Sequence, residues 1–229
     1  MNLEARWGHM YSDDQIRKIG AVMPRRMANE DYRQQQWEHR YDAHIEPINK
    51  LVDELRENKK EWMPYVAPIY GGTKAKLLYV LRDPGPKTHA DNEGSGFLSL
   101  ENDDPTAEKV CNLFFEANIR PKDTLPWNAY PWYINRKPTI EELADGVKAL
   151  KSVIDRLPDL KVIVFLGGVA KSAWKKFNRQ YPTIITERGI HVVQTYHTSP
   201  QAFWSPDPDV RENRRQHLRD SFSEAARIL

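Results

Sequence analysis

Cysteine is almost absent from this chain, and that excludes several kinds of protein. Cys111 is the only cysteine among 229 residues. A disulfide framework, a four-cysteine zinc site and a cysteine-ligated iron–sulfur cluster each need more than one cysteine side chain. We therefore expect an intracellular protein without a cysteine-held metal.

Long apolar runs and a strong net charge are also lacking. Apolar runs such as residues 162–166 are far too short to span a bilayer, and the N-terminal residues MNLEARWGHMYSDDQ contain no apolar signal-peptide core. We expect a cytoplasmic protein that does not contact membranes. The formal net charge is only +2, so any contact with nucleic acid must come from a local basic patch.

One such patch is predicted in the helical segment that follows residue 168. Lys171, Lys175, Lys176 and Arg179 are spaced so that they fall on one face of a helix, with no acidic residue between them. This face is a candidate for binding DNA phosphates. The alternative is an ordinary solvated helix face, and the spacing does not decide between the two.

The order of apolar runs and helical patterns predicts the fold. Residues 28–60 carry a helical pattern, broken or kinked near Pro47. Strand patterns then alternate with helical ones; strands are predicted at 76–81, 124–129, 161–166 and 190–196, and helices at 106–118, 139–157, from 167, and at 208–229. Such alternation predicts a three-layer α/β/α sandwich with a mainly parallel central sheet. Residues 1–70 are predicted to form a helical extension packed on a domain of residues 71–229.

Three short motifs follow predicted strands. They are LRDPGP at residues 81–86, WNAYPW at 127–132 and HTSPQAF at 197–203. Ligands bind at the carboxyl ends of the strands in sheets of this type, so we expect the three motifs to form one site. Gly167 and Gly168 also follow a strand, and they begin a helix whose free N–H groups suit a phosphate.

The three motifs, in this order, resemble those of the uracil-DNA glycosylase superfamily. Its members carry an (Asp/Asn)-Pro motif after the first core strand, an Asn at the end of the second strand and a late His-x-Ser-Pro loop. Here 45 residues separate Asp83 from Asn128, and 69 separate Asn128 from His197. The resemblance covers roughly residues 75–225. It implies that residues 71–229 form a glycosylase-like domain that binds DNA and hydrolyses the N-glycosidic bond of a flipped-out pyrimidine.

The chemistry of that reaction fits the two residues that the resemblance marks as catalytic. Hydrolysis passes through a cationic sugar and a departing base that carries negative charge. Asp83, held by the rigid Pro84 turn, would orient or deprotonate the attacking water. His197 would donate a hydrogen bond from a neutral imidazole to the pyrimidine O2 as negative charge accumulates there. Alternatively, Asp83 is a turn residue and His197 a structural one. No metal or other cofactor is needed, since water and fixed dipoles suffice.

The resemblance also implies residues that bind the base and the DNA. Asn128 would hydrogen-bond to the edge of the base, and Phe97 would stack on its ring unless the loop is shifted by one residue. The alternatives are a backbone contact for Asn128 and core packing for Phe97. Thr198 and Ser199 are predicted to bind the phosphate that flanks the target nucleotide. Gln201, or alternatively Phe203 or Trp204, would be the wedge that inserts into the base stack in place of the flipped base. Further DNA contacts are predicted at Gly168, Lys171 and Lys175.

Gly85 is an informative departure from the family pattern. The most uracil-selective members carry a tyrosine there, which excludes any group on C5 of the base. Glycine leaves the pocket open, as in the mismatch-specific branch, whose catalytic asparagine is here Asp83. This combination suggests a 5-modified pyrimidine, including hydroxymethylated or glucosylated cytosine of phage DNA, with the loop 88–95 near the substituent. Leu81, Arg82 and Thr198 also depart from the family pattern. The way in which the family positions water and clamps the backbone is therefore not carried over to these residues.

Four functions remain open at this point. The protein is a glycosylase for uracil, a glycosylase for bulky modified pyrimidines, an inactive module that binds DNA or a nucleotide, or a hydrolase of free nucleosides. The first two rank highest, because no Asp-rich metal cluster supports a nucleoside hydrolase. No lysine follows the motifs in a position that suggests a Schiff base, so we expect a monofunctional enzyme that leaves an abasic product. We also expect the protein to be a monomer.

Overall fold

A computed structural model describes residues 22–89 and 93–229 of the chain. The helices are α1 Glu30–Glu38, α2 Glu46–Lys59, α3 Pro105–Glu116, α4 Ile140–Asp155, α5 Gly167–Gln180, α6 Ile184–Glu187 and α7 Pro208–Ile228. The strands are β1 Tyr65–Val66, β2 Leu77–Leu81, β3 Phe97–Leu98, β4 Thr124–Asn128, β5 Val162–Leu166 and β6 His191–Thr195. Within these residues, no helix combines the length and the apolar character that a bilayer crossing requires.

The central sheet contains four parallel strands in the order β4-β2-β5-β6. Strands β4 and β5 are buried over their whole length, and every residue of β5 is apolar, as expected for a strand covered on both faces. The pairing brings the strand ends to one edge, where Leu81 lies opposite Asn128 and Leu166 opposite Thr195. The predicted mainly parallel sheet is confirmed.

Helices cover both faces of this sheet. Tyr79 of β2 contacts Phe114 of α3 at 5.6 Å between ring centroids, and Phe114 contacts Phe222 of α7 at 6.1 Å. Phe165 of β5 lies opposite Val80, one residue out of phase with Tyr79, so its side chain lies on the other face. There it contacts Trp174 of α5 at 5.5 Å. The predicted three-layer sandwich is confirmed.

The N-terminal helices differ in one detail from the sequence prediction. The helical pattern of residues 28–60 is divided between α1 and α2, and the break lies before Pro47. Pro47 belongs to the first turn of α2, where its missing N–H is not needed. Ile48 and Val52 of α2 are fully buried in the same apolar core as the sheet. The N-terminal helices are therefore packed on the rest of the described chain.

A second, two-stranded sheet was not predicted. No strand or helix was predicted from the sequence within residues 87–99, but β3 lies there and pairs in parallel with β1. Two-residue strands are too short to produce a recognisable pattern. The backbone N–H of Val66 in β1 donates to Asn49 Oδ1 of α2 at 2.9 Å, which ties this small sheet to the N-terminal helices. Residues 90–92 of the loop lie outside the described residues.

Helix α4 fixes the segment that follows β4. Its N-terminus carries a capping box formed by Thr139 and Glu142, at the start of the helix predicted from residue 139. Gly146, one turn further on, lies so close to the chain that a Cβ atom there would be 1.9 Å from the carbonyl oxygen of Ala129. Because Ala129 directly follows Asn128, this helix–loop contact supports the end of β4.

We predict that Gly146→Ala destabilises the protein by about 1–3 kcal/mol, since the added methyl group has to displace backbone. The free energy of unfolding would be measured by chemical denaturation. Gly168→Ala is the matched control, because a Cβ at Gly168 would meet nothing within 4 Å. Equal stability of the two variants would contradict the close packing of α4 on Ala129.

Candidate active site

A cavity of about 680 Å³ opens at the carboxyl ends of the central strands. Residues of all three sequence motifs line it, together with the start of α5. The predicted site residues in its lining are Asp83, Gly85, Asn128, Gly168, His197, Ser199 and Gln201. The structure thus brings the distant motifs to one place.

The interior of the cavity lies on the face of the sheet that α3 covers. Tyr79 and Pro126 form part of its lining, and they lie opposite each other on β2 and β4. Ala107 and Val110 of α3 line it as well. Asn128 lies two residues beyond Pro126, so its side chain is on this same face.

Asp83 is buried at the end of β2, with only 2% of its side chain exposed. Arg82 Nε donates a hydrogen bond to Asp83 Oδ1. The other oxygen, Oδ2, is buried and has no hydrogen-bond partner among the described residues. Burial raises the pKa of this carboxyl, while the hydrogen bond and charge of Arg82 and the backbone N–H of Asn135 oppose that rise. One oxygen is thus fixed and the other can accept a proton from a nucleophile.

His197 is held in one tautomer by a backbone contact. The N–H of Ser199 donates to His197 Nδ1 at 3.0 Å, so the ring proton of the neutral imidazole belongs on Nε2. Burial, together with the positive charge of Arg82, lowers the pKa of His197 to about 4. At neutral pH the side chain is therefore an uncharged hydrogen-bond donor.

Gly167 makes room for this imidazole. Its φ is +88°, a conformation that L side chains rarely adopt, and a Cβ there would lie 2.9 Å from His197 Cβ. The position of the Gly167-Gly168 pair after a strand predicted phosphate binding, and this packing role of Gly167 was not predicted. The signal was present, because a glycine directly after a buried strand marks a close approach.

Two further buried polar side chains lie at the ends of β4 and β6. Asn128 is 1% exposed and Thr198 is 2% exposed. Asn128 Nδ2 and Thr198 Oγ1 have no hydrogen-bond partner among the described residues. Buried polar atoms in folded proteins are normally paired, and groups left without a protein partner often serve a functional site.

Phe97 is not among the residues that line the cavity. Its side chain is fully buried, and its ring contacts Trp37 at 5.8 Å and Tyr65 at 6.4 Å. The cavity is lined instead by Leu98, the next residue of β3. Successive side chains of a strand point in opposite directions, so a shift of one residue exchanges core and cavity. Core packing, the alternative left open by the sequence, describes Phe97.

The predicted DNA-contacting residues differ in exposure. Gly168, Gln201 and Lys175 are exposed, whereas Lys171 is half-buried with its Nζ 5.5 Å from the ring centroid of Tyr196. Of the two substitute wedge residues, Phe203 is buried and Trp204 is 75% exposed.

The loop that carries Trp204 is tied to α7. Arg214 Nη1 donates to the carbonyl oxygens of Ala202 at 3.3 Å and Trp204 at 3.0 Å. Its guanidinium also lies 5.8 Å from the ring centroid of Tyr196. These contacts fix the backbone on which the exposed indole stands, three residues beyond Gln201 of the cavity lining.

Within residues 22–89 and 93–229, no group of three or more His, Cys, Asp or Glu side chains is arranged to hold a metal ion.

Comparison with known proteins identifies one family. The sequence model of the uracil DNA glycosylase superfamily matches residues 68–222, which are about two thirds of the chain and include every strand of the central sheet. No curated protein matches the chain.

We predict that Ser199→Pro allows both tautomers of neutral His197, because proline has no N–H to donate to Nδ1. The φ of −66° at this position suits a proline, so the backbone should keep its conformation. Nitrogen NMR of histidine-labelled protein at pH 7 should show Nε2–H alone in the native protein and a mixture of tautomers in the variant. Ser199→Ala, which keeps the N–H, should behave like the native protein. A pure Nε2–H form in Ser199→Pro would contradict the conclusion that the Ser199 N–H fixes the His197 tautomer.

Proposed function

Because the chain belongs to the uracil DNA glycosylase superfamily, we propose that it is a monofunctional DNA glycosylase that hydrolyses the N-glycosidic bond of a pyrimidine flipped out of DNA. The observation that carries this proposal is the pairing, in one cavity, of a buried carboxylate with an unpartnered oxygen and a neutral imidazole with its proton on Nε2. The two groups match the two charges that the reaction creates.

The proposed reaction begins with water bound at Asp83 Oδ2. As the bond between C1′ and the base nitrogen breaks, its electron pair leaves with the base, and the carboxylate stabilises the cationic sugar. Water attacks C1′ and transfers a proton to Asp83. His197 Nε2–H donates a hydrogen bond to the pyrimidine O2, where negative charge accumulates. Asn128 Nδ2 and Oδ1 are proposed to bind the edge of the base.

The nucleophile in this proposal is water, so the product is an abasic site with an intact strand. Lys87 is the one lysine among the described residues that line the cavity, and it is exposed. A protein–DNA adduct trapped by borohydride would contradict a monofunctional enzyme.

We propose that the substrate is uracil or a pyrimidine with a substituent on C5, including hydroxymethylated or glucosylated cytosine of phage DNA. Two observations support a permissive pocket. A Cβ at Gly85 would meet nothing within 4 Å, and the cavity continues past Leu98 to Ala107 and Val110 of α3. Its volume of about 680 Å³ is typical of sites that hold ligands larger than a single pyrimidine ring. A role in defence against phage would follow from such a substrate.

We propose that a monomer binds DNA with the face that carries α5 and the residues after His197. Lys175 and Arg179 are exposed on α5 and suit the phosphate backbone. Trp204, rather than Gln201, has the apolar bulk that replaces a base in the stack. Thr198 and Ser199 would bind the phosphate beside the flipped nucleotide.

We predict that Asp83→Asn lowers the single-turnover rate of base excision by about 10²–10⁴-fold, because the general base is lost. The rate would be measured on duplexes that contain one uracil or one 5-modified pyrimidine. Asp159→Asn, an exposed position distant from the motifs in sequence, is the control and should excise at the native rate. Native-like excision by Asp83→Asn would refute the mechanism, and DNA binding without excision by the native protein would favour an inactive binding module.

We predict that Gly85→Tyr lowers excision of thymine or glucosylated hydroxymethylcytosine by at least about tenfold while excision of uracil is retained, because the new ring would occupy the space beside C5. A panel of matched duplexes with each base gives the comparison. Gly85→Ala adds only a methyl group and should keep the native preference. Unchanged selectivity in Gly85→Tyr would show that Gly85 does not face C5 of the base.

A further inference from the structure

Arg82 is a cationic side chain within the proposed active site to which the mechanism above gives no role of its own. It lines the cavity, and 43% of its side chain is exposed. Its backbone is fixed, because its carbonyl oxygen accepts from the N–H of Tyr130 at 3.0 Å and that of Leu81 accepts from Ala129 at 2.8 Å. The hydrogen-bonded register of β2 and β4 thus continues past both strands and holds Arg82 at the cavity.

The guanidinium charge is only partly balanced. Its Nε donates to Asp83 Oδ1, and no hydrogen bond from Arg82 to another described acid is present. Arg136, the other arginine near Asp83, forms an ion pair with Glu142. Asp104 also lines the cavity, but its carboxylate is engaged with the N–H groups of Thr106 and Ala107 at the start of α3.

The position of this charge matters for the chemistry. A cation near the sugar opposes the positive charge that builds up on C1′, and the ion pair with Asp83 offsets this effect. Near the base the same cation is favourable, since the departing ring becomes an anion. The charge of Arg82 is felt at His197, the group proposed to contact that ring. His197 is itself neutral and can supply only a hydrogen bond.

We propose that Arg82 is a positioning residue with two effects: it orients Asp83 through its Nε hydrogen bond, and its charge stabilises the anionic base as the base leaves. This inference rests on the proposed glycosylase function. It assigns to Arg82 the positive charge that the neutral His197 lacks.

The test compares leaving groups of different acidity. Single-turnover excision would be measured for the native protein, Arg82→Gln and Arg82→Lys on duplexes with uracil or 5-fluorouracil, whose fluorine makes the base a better leaving group. Arg82→Gln should slow uracil excision by about 100-fold and 5-fluorouracil excision by about tenfold or less, because an acidic leaving group depends less on a nearby cation. Arg82→Lys keeps the charge, so it should slow the excision of uracil and of 5-fluorouracil by the same factor.

A second measurement does not depend on cleavage. In carbon and nitrogen NMR of the free protein, Arg82→Gln should raise the pKa of His197, because an opposing cation has been removed, and Arg82→Lys should leave that pKa near its native value. The other charged side chains that line the cavity are not substituted in either variant; among the described residues these are Asp83, Lys87 and Asp104.

The possible failures can be distinguished. Equal losses on the two bases in Arg82→Gln would overturn the role of the charge and leave only an effect through Asp83. An unchanged His197 pKa in Arg82→Gln would show that the charge does not reach the imidazole, and would also overturn it. Failure of the native protein to excise any base would instead refute the proposed function itself.

Discussion

The pairing of β2 with β4 is the constraint on which the rest of the site depends. Leu81 lies opposite Asn128, and the hydrogen bonds continue through Ala129 and Tyr130 beyond the ends of both strands. This places Arg82 and Asp83 next to the end of β4, and Gly146 of α4 supports that end from outside. A slip of one residue in this register would move every one of these side chains to the opposite face of the sheet.

Burial then gives the two proposed catalytic groups their properties, with opposite signs. It raises the pKa of the Asp83 carboxyl and lowers the pKa of the His197 imidazole, since it disfavours the charged form of each. Arg82 moderates the first shift and strengthens the second. The ionisation of the site is therefore a property of three side chains together, and two of them are neighbours in sequence.

The sequence predicted those features that leave a strong or long pattern. The apolar runs of β2 and β5, the capping box at Thr139 and the position of the motifs at strand ends were all recognisable, because each depends on a local preference. The β1–β3 pair, the exchange of Phe97 for Leu98 and the contact between Gly167 and His197 depend on tertiary distances of a few ångströms, which no local pattern encodes. Arg82 was noticed only as a departure from the family, since its role follows from where its charge lies.

The small β1–β3 sheet links the N-terminal helices to the wall of the cavity. Leu98 faces the cavity only because Tyr65 and Val66 pair with its strand, and Trp37 of α1 rests against Gly96 and Phe97 from outside. The helices before residue 65 thus support one side of the cavity. A chimera that joined the central sheet to a foreign N-terminal segment would keep Asp83 and His197 but would lose the support behind Leu98 on one wall of the cavity.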